Sequence, residues 1–140
     1  MNRQNRGVKG LAGVLLMGVL MTPALTLAAA VDEQLAAYRA SGAGPFSAQA
    51  GEQFWQEEVA NAKDGGSRSC TTCHGRDLRL VGKHARTGKA IEPLSPAVNA
   101  ERLTSAKKIS KWFKRNCKWT WGRECTPQEK GDLLSFIQSQ

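Results

Sequence analysis

Residues 70–74 read Cys70-Thr71-Thr72-Cys73-His74, and this C-x-x-C-H stretch is the most informative motif in the chain. C-x-x-C-H is the attachment sequence of c-type haem. Two cysteines at this spacing reach the two vinyl groups of one haem and form thioethers, and the adjacent histidine directs a ring nitrogen at the iron. The motif therefore predicts one covalent haem c, attached through Cys70 and Cys73, with His74 as the proximal iron ligand.

Two rival interpretations of the motif are a thioredoxin-like dithiol and a zinc site. A thioredoxin fold needs βαβ units around the motif, and the sequence has no strand pattern of useful length. A zinc site would have to recruit Cys117 or Cys125, the other two of the four cysteines. In an exported chain those two would pair with each other instead. Haem is the favoured interpretation.

The N-terminal thirty residues have the three-part pattern of a secretory signal peptide. Arg3, Arg6 and Lys9 precede an apolar run that begins at Leu11 and ends in small residues at Ala30. A permanent membrane anchor is the alternative, but the run is short for a span of roughly 20 residues. The sequence predicts cleavage of residues 1–30, one domain over 31–140, and export to the periplasm of a Gram-negative bacterium.

The rest of the chain, which is too short for more than one domain, predicts an all-α fold. Apolar residues recur at helical spacing, and polar caps precede two of the runs. Thr126 starts the clearest helix, with proline after it and glutamate three positions on. The other predicted helices are Asp32 to Ala40, Ser47 to Asn61 and Ser105 to Cys117, with a long loop over residues 75–96.

Cys117 and Cys125 remain once the motif has used two cysteines. An oxidising compartment favours a disulfide between them, with two free thiols as the alternative. The short loop between them limits the stabilisation to about 2–3 kcal/mol in the chain-entropy model.

The second axial ligand of the iron is the open question. Met1, Met17 and Met21 are the only methionines, and all leave with the signal peptide. A methionine ligand, common in electron-transfer cytochromes c, is therefore excluded. His84 is a weak candidate because it lies in the loop leaving the motif; it reads as a surface or propionate-contacting residue. A lysine or an empty position are further alternatives.

Asn116 is the polar member of a helical stripe with Ile109, Trp112 and Phe113. The stripe predicts that the helix turns Asn116 inward, where a buried amide needs partners. One interpretation is a helix-terminal residue that satisfies backbone groups beside Cys117. The other is a distal residue facing the iron, a poor ligand that a diatomic gas displaces. The same stripe predicts that Trp112 packs in the core or on the haem.

Several motifs together resemble the SHP family, the oxygen-binding "sphaeroides haem protein" cytochromes c. The resemblance covers roughly residues 50–137. Besides the haem motif it rests on Gly88-Lys89-Ala90-Ile91-Glu92-Pro93-Leu94-Ser95-Pro96, Lys111-Trp112-Phe113-Lys114-Arg115-Asn116-Cys117 and Gly122-Arg123-Glu124-Cys125-Thr126-Pro127-Gln128-Glu129-Lys130.

The resemblance implies a class I cytochrome c fold in which N- and C-terminal helices cross beside one covalent haem. It implies His74 as proximal ligand and Asn116 as a distal ligand that comes off when the iron is reduced. It also implies a Cys117–Cys125 disulfide near the haem, binding of oxygen or nitric oxide, and electrons from a dihaem cytochrome c that is itself linked to a membrane cytochrome b.

Charge is distributed unevenly along the chain. The whole chain carries +8, and the six cations between Lys107 and Lys118 are accompanied by no acid. Nucleic acid binding is improbable for an exported haem protein, so the basic helix predicts either an acidic redox partner or only a solvated face. Trp119 and Trp121 sit inside the disulfide loop, where they shield the haem or face a partner.

Three functions compete at this point. The favoured one is electron acceptance followed by binding of a small diatomic ligand, with turnover as a terminal reductase left open. The alternative is a simple electron-transfer cytochrome c without ligand binding. A gas sensor or partner subunit ranks last, since the sequence contains no separate output domain.

Overall fold

The computed structural model describes residues 23–60 and 65–140, with side chains described from residue 29 onward. This part of the chain is mainly helical, which confirms the all-α prediction. Its helices are α1 (Pro23–Ala40), α2 (Ala48–Gln56), α3 (Thr71–His74), α4 (Ala106–Trp121) and α5 (Pro127–Gln138).

Two short antiparallel hairpins were not expected from the sequence. β1 (Val59–Ala60) pairs with β2 (Ser67–Arg68), and β3 (Gly82–Lys83) pairs with β4 (Ala90–Ile91). Strands of two residues are too short to show an alternating pattern, so no sequence pattern indicated them. They flank the C-x-x-C-H motif on both sides.

The predicted starts of α2, α4 and α5 are confirmed, whereas α1 begins at Pro23 rather than at Asp32 and two helix ends differ. Ser47 and Ser105 are N-caps whose hydroxyls accept from the amides of Ala50 and Lys108. Helix α2 ends at Gln56 rather than near residue 61, because the backbone turns extended into the first hairpin. Helix α4 continues past Cys117 to Trp121 and ends at Gly122, whose φ of 70° provides the left-handed C-cap.

The start of α5 is fixed by a full capping box. Thr126 accepts from the Glu129 amide, and the Glu129 carboxylate accepts from the Thr126 amide at 2.7 Å. Arg123 adds an ion pair to the same carboxylate at 2.7 Å. The hydrogen bond from Arg123 is the main reason that the pKa of Glu129 lies below its usual value. The capped helix supplies Leu133, Leu134, Phe136 and Ile137 to the core.

Helices α2 and α5 cross at very close range. A Cβ on Gly51 would overlap the backbone carbonyl of Asp132 and approach the Phe136 side chain to 2.8 Å. On the opposite helix, a Cβ on Gly131 would overlap the ring of Phe46. Asp132 also accepts from the Ser47 amide at 2.7 Å, which ties the start of α2 to α5. Only glycine permits this approach.

Helix α1 packs on α4 and α5. Val31 and Leu35 are buried in a cluster with Ile109 and Leu134, and Ser110 donates to Gln34 at 2.7 Å. Residues 1–22, which hold most of the predicted signal peptide, lie outside the described residues. The helix itself runs unbroken through the predicted cleavage point after Ala30.

Within residues 23–60 and 65–140, no helix combines the length and the apolar character needed to cross a bilayer.

Replacing Gly51 with Ala should lower the free energy of unfolding by about 2 kcal/mol. Overpacking against a backbone carbonyl costs about 3 kcal/mol, and this outweighs the roughly 1 kcal/mol that alanine gains in helix propensity. Denaturant unfolding of the holoprotein measures the change. The exposed neighbour Gln53→Ala is the control and should stay within about 0.5 kcal/mol of the wild type. Equal stability of Gly51→Ala and wild type would contradict the close crossing.

Candidate haem-binding site

The C-x-x-C-H motif forms helix α3, a single turn. Cys70 is its N-cap residue, and Gly75, with a φ of 70°, ends it. Before the turn, the amide of Ser69 donates to the Thr72 hydroxyl at 3.0 Å. The helical turn places Cys73 and His74 one turn after Cys70, so the three side chains lie within a single short segment.

Trp55 of helix α2 anchors the end of this turn. Its indole Nε1 donates to the Gly75 carbonyl at 3.0 Å, and its ring centroid lies 5.5 Å from that of His74. Trp55 is only 4% exposed and also contacts Phe136 of α5. The α2–α5 crossing therefore positions His74 through Trp55, a role that its place in the predicted helix did not reveal.

The thiols of Cys70 and Cys73 are free and half-buried. Burial, reinforced by Cys73, raises the pKa of the Cys70 thiol to about 12. A redox-active dithiol or a zinc site needs an accessible thiolate with a lowered pKa, which is the opposite situation. In addition, among residues 23–60 and 65–140 no three His, Cys, Asp or Glu side chains cluster as a metal site. These observations favour the haem interpretation over both rivals.

His74 carries the properties of a neutral nitrogen ligand. Burial, with a smaller contribution from the nearby positive charge of Arg102, lowers its pKa to about 4. At neutral pH the imidazole is therefore uncharged and has a free lone pair. Neutral imidazole is the form that ligates metals.

Arg102 is a second residue that sequence reasoning missed. Its guanidinium donates to the carbonyls of Pro93 at 2.8 Å and Glu92 at 2.7 Å. The next two amides, of Leu94 and Ser95, both donate to the Leu78 carbonyl at 2.9 Å. The Pro-rich segment thus packs beside the residues that follow His74. The glycines and prolines that punctuate residues 75–96, together with the lack of periodicity, were the sequence signal for an ordered loop.

An apolar wall surrounds the motif. Buried Leu78, Leu133 and Phe136 belong to one cluster with Trp55, and half-buried residues pack against it: Phe54, Cys70, Leu94, Leu103, Phe113 and Trp121. The buried Trp121 Nε1 has no hydrogen-bond partner in the described part of the chain. Free thiols, a neutral buried imidazole, an apolar wall and an unpartnered donor together fit a covalently attached haem.

Asn116 lies at the border of the inward face of α4. Ile109, Cys117 and Thr120 on that face are buried, and Phe113 is half-buried against the same cluster as Cys70. Asn116 does not take the buried position that the helical stripe predicts: its side chain is exposed in the polypeptide and has no hydrogen-bond partner among the described residues. The amide is therefore not used to cap the helix or to satisfy backbone groups beside Cys117.

The predicted core position of Trp112 is wrong. Trp112 is 49% exposed, and Arg115 lies over its ring at 5.1 Å. An indole with cations beside it is stable at the surface, because its apolar face is covered while its polar edge stays wet.

Two other residues left open by the sequence have defined surroundings. His84 is exposed, and its Nδ1 lies 3.2 Å from the Thr87 amide, which donates to it. Trp119 is 37% exposed and lies under the guanidinium of Arg68, 4.6 Å from its ring centroid. Arg68 also donates to the Trp119 carbonyl at 3.2 Å. This contact joins the residues before the motif to the end of α4.

Cys117 and Cys125 are brought together as the sequence predicts. Their sulfur atoms lie at disulfide distance, their Cα atoms are 5.6 Å apart, and both residues are buried. The pair links α4 to the segment before α5. Cys117 is the residue that directly follows Asn116.

Comparison with known proteins identifies relatives over most of the chain. The family model described as a domain of unknown function, DUF1924, matches residues 41–137. The cytochrome c-type protein SHP of Cereibacter sphaeroides is 38% identical over 127 residues, covering 91% of this chain and 97% of that protein. Cytochrome c'' of Methylophilus methylotrophus is 34% identical over 76 residues, about half of each chain.

Solved structures agree with these sequence matches. The structure of oxidized SHP, described as an oxygen-binding cytochrome c, has a TM-score of 0.66 at 36% identity and covers 85% of this chain and 97% of that one. Oxidized cytochrome c'' has a TM-score of 0.70 at 28% identity, covering 80% and 95%. The predicted cytochrome c fold is thereby confirmed. On sequence and structure alike, this chain belongs to the SHP family of c-type cytochromes.

Proposed function

We propose that this protein is a periplasmic monohaem cytochrome c that accepts an electron from a redox partner and binds a small diatomic ligand beside a displaceable Asn116. The observation that carries the proposal is the free Asn116 amide at the border of the inward face of α4. Of the stronger ligands, no methionine follows Met21, and His84 lies in the loop that the Ala85 amide holds against Cys73.

In this proposal Cys70 and Cys73 hold the haem by thioether bonds and His74 is the proximal ligand. Haem iron supplies one-electron chemistry and a coordination position for a diatomic gas. The protein's contribution is to keep His74 neutral by burial and to orient it through Trp55. Arg102 binds the carbonyls of Glu92 and Pro93, and this segment packs on the same side of the motif as His74.

Asn116 acts on the opposite, distal side. A carboxamide is a neutral acceptor and a much weaker iron ligand than imidazole or thioether, so it is readily displaced. The relatives support this role. SHP is an oxygen-binding cytochrome c, and the solution structure of cytochrome c'' was used to explain haem-ligand detachment. Oxygen and nitric oxide are the proposed ligands.

Export completes the proposal. Residues 1–30 act as a cleaved signal peptide, and residues 31–140 form the mature cytochrome in the periplasm of a Gram-negative bacterium. An oxidising compartment allows the disulfide between Cys117 and Cys125. This disulfide would restrain α4 next to Asn116 and so limit how far the amide moves.

The electron donor in this proposal is a dihaem cytochrome c or another acidic redox protein. The support is the excess of cations over residues 63–140, 16 Lys+Arg against seven Asp+Glu. Opposite charges raise the rate of encounter and make it sensitive to salt.

Substitution of Asn116 tests the distal assignment. Asn116→Ala should change the ferric haem spectrum and leave carbon monoxide binding to the ferrous protein intact. Asn116→His should give low-spin haem in both oxidation states and slow carbon monoxide binding by about tenfold or more, because a strong imidazole ligand must leave first. Optical spectra and stopped-flow mixing measure both effects.

Lys114→Ala, on the same helix turn and exposed, is the matched control for these variants. It should reproduce the wild-type spectra and rates. If Asn116→Ala also leaves the ferric spectrum unchanged, Asn116 is not a ligand.

Replacing Trp55 with Phe tests the anchor of the motif. The change removes the hydrogen bond to the Gly75 carbonyl and keeps most of the ring, so we expect a loss of about 1 kcal/mol in unfolding free energy. Trp112→Phe, at an exposed position without a hydrogen bond to the motif, should cost less. Denaturant unfolding of both holoproteins measures the two losses of unfolding free energy. Equal losses would contradict the anchoring role of Trp55.

A further inference from the structure

The loop after the motif, residues 76–89, lies directly against the second motif cysteine. A Cβ on Gly82 would overlap the carbonyl of Cys73, and the Ala85 amide donates to the Cys73 sulfur at 3.3 Å. The loop is internally ordered by the β3–β4 pairing and by the His84 amide, which donates to the Lys89 carbonyl at 2.8 Å. Its inner side therefore touches the haem-binding motif.

The outer side of this loop carries two adjacent apolar side chains. Leu80 is 64% exposed and Val81 is 61% exposed. They are the only large hydrophobic residues in the described part of the chain that are this exposed at consecutive positions. Apolar patches with a polar rim mark protein–protein contact sites more often than isolated exposed residues do.

The rim of the patch is strongly basic. Five exposed cations stand against the single acid Asp77, and the cations are Arg76, Arg79, Lys83, Arg86 and Lys89. Asp77 is occupied locally, since its carboxylate accepts from the Arg79 amide at 2.9 Å. Within residues 23–60 and 65–140, none of the five forms an ion pair. Their charge is therefore available to an acidic partner.

The basic face of α4 differs in this respect. Lys111 and Arg115 lie over the Trp112 ring, and Lys114 is 3.9 Å from Glu124. Half of the α4 cations are thus already engaged within the protein. The exposed apolar side chains of the α4 face are the indoles of Trp112 and Trp119, and both have cations over their rings, whereas Leu80 and Val81 are 64% and 61% exposed.

From these observations, and resting on the proposed function, we propose that the loop of residues 76–89 is the docking face for an acidic electron-donor protein. The apolar pair Leu80 and Val81 contacts the donor, and the surrounding cations steer it into place. One electron passes from the reduced donor to the ferric haem, which becomes ferrous while the donor is oxidised. No bond is made and no proton is moved. Cys73 beneath the loop keeps the docked donor close to the haem.

Charge reversal at matched positions tests this assignment. The loop variant is Arg79→Glu/Arg86→Glu, and its control is Lys107→Glu/Lys108→Glu in the first turn of α4. Both variants change the net charge by the same amount and both alter exposed side chains outside the core. The probe is flavodoxin, a strongly acidic redox protein, with the haem-loaded cytochrome at low ionic strength.

Two quantities are measured: the affinity for oxidised flavodoxin by calorimetry, and the second-order rate of haem reduction by reduced flavodoxin. The loop variant should lose about tenfold in both. The α4 control should change by less than about threefold, and added salt should abolish the difference. Leu80→Ser/Val81→Ser should weaken binding at high salt as well, because its contribution is apolar.

Equal effects of the two charge reversals, a larger effect on α4, or no effect of either would overturn the docking face. The haem absorption spectrum of each variant must match that of the wild type, which shows that the haem is intact. Carbon monoxide binding to the ferrous wild type is recorded in parallel. Its failure would refute the displaceable ligand without altering the flavodoxin comparison, so the two proposals are tested separately.

Discussion

The close crossing of α2 and α5 at Gly51 holds the haem-binding motif in place. Because Gly51 has no side chain, the helices approach until its Cα lies against the Asp132 backbone. That approach buries Trp55 against Phe136. Trp55 in turn holds the Gly75 carbonyl and contacts His74. A backbone constraint at one glycine is thus transmitted to the orientation of His74.

The two sides of the site are controlled in different ways. On the side of His74, burial, Trp55 and Arg102 fix a neutral imidazole, and many hydrogen bonds hold the nearby backbone. On the side of α4, the Asn116 amide has no hydrogen-bond partner within residues 23–60 and 65–140, although the adjacent Cys117 is buried and lies at disulfide distance from Cys125. A firmly held His74 and an unheld Asn116 amide suit the displaceable ligand that we propose.

Much of this arrangement could be predicted from the sequence. The spacing of Cys70, Cys73 and His74 indicated the haem, and Thr126 with Glu129 indicated the start of α5, because capping and attachment depend on short local patterns. The short hairpins and the roles of Gly51 and Trp55 were not predicted, since they arise from contacts between distant segments. Trp112 was misplaced because helical periodicity gives the apolar stripe but not its edges, where cations can cover an exposed indole.

The spin state of the ferrous holoprotein, recorded with and without carbon monoxide, shows whether Asn116 is displaced from the iron. If Asn116 leaves the iron on reduction, the ferrous haem is high-spin and carbon monoxide binds quickly, with a large change in the Soret band. A low-spin ferrous spectrum that carbon monoxide does not alter would show a distal position that never opens. This result would contradict the displacement of Asn116 and would indicate a simple electron carrier.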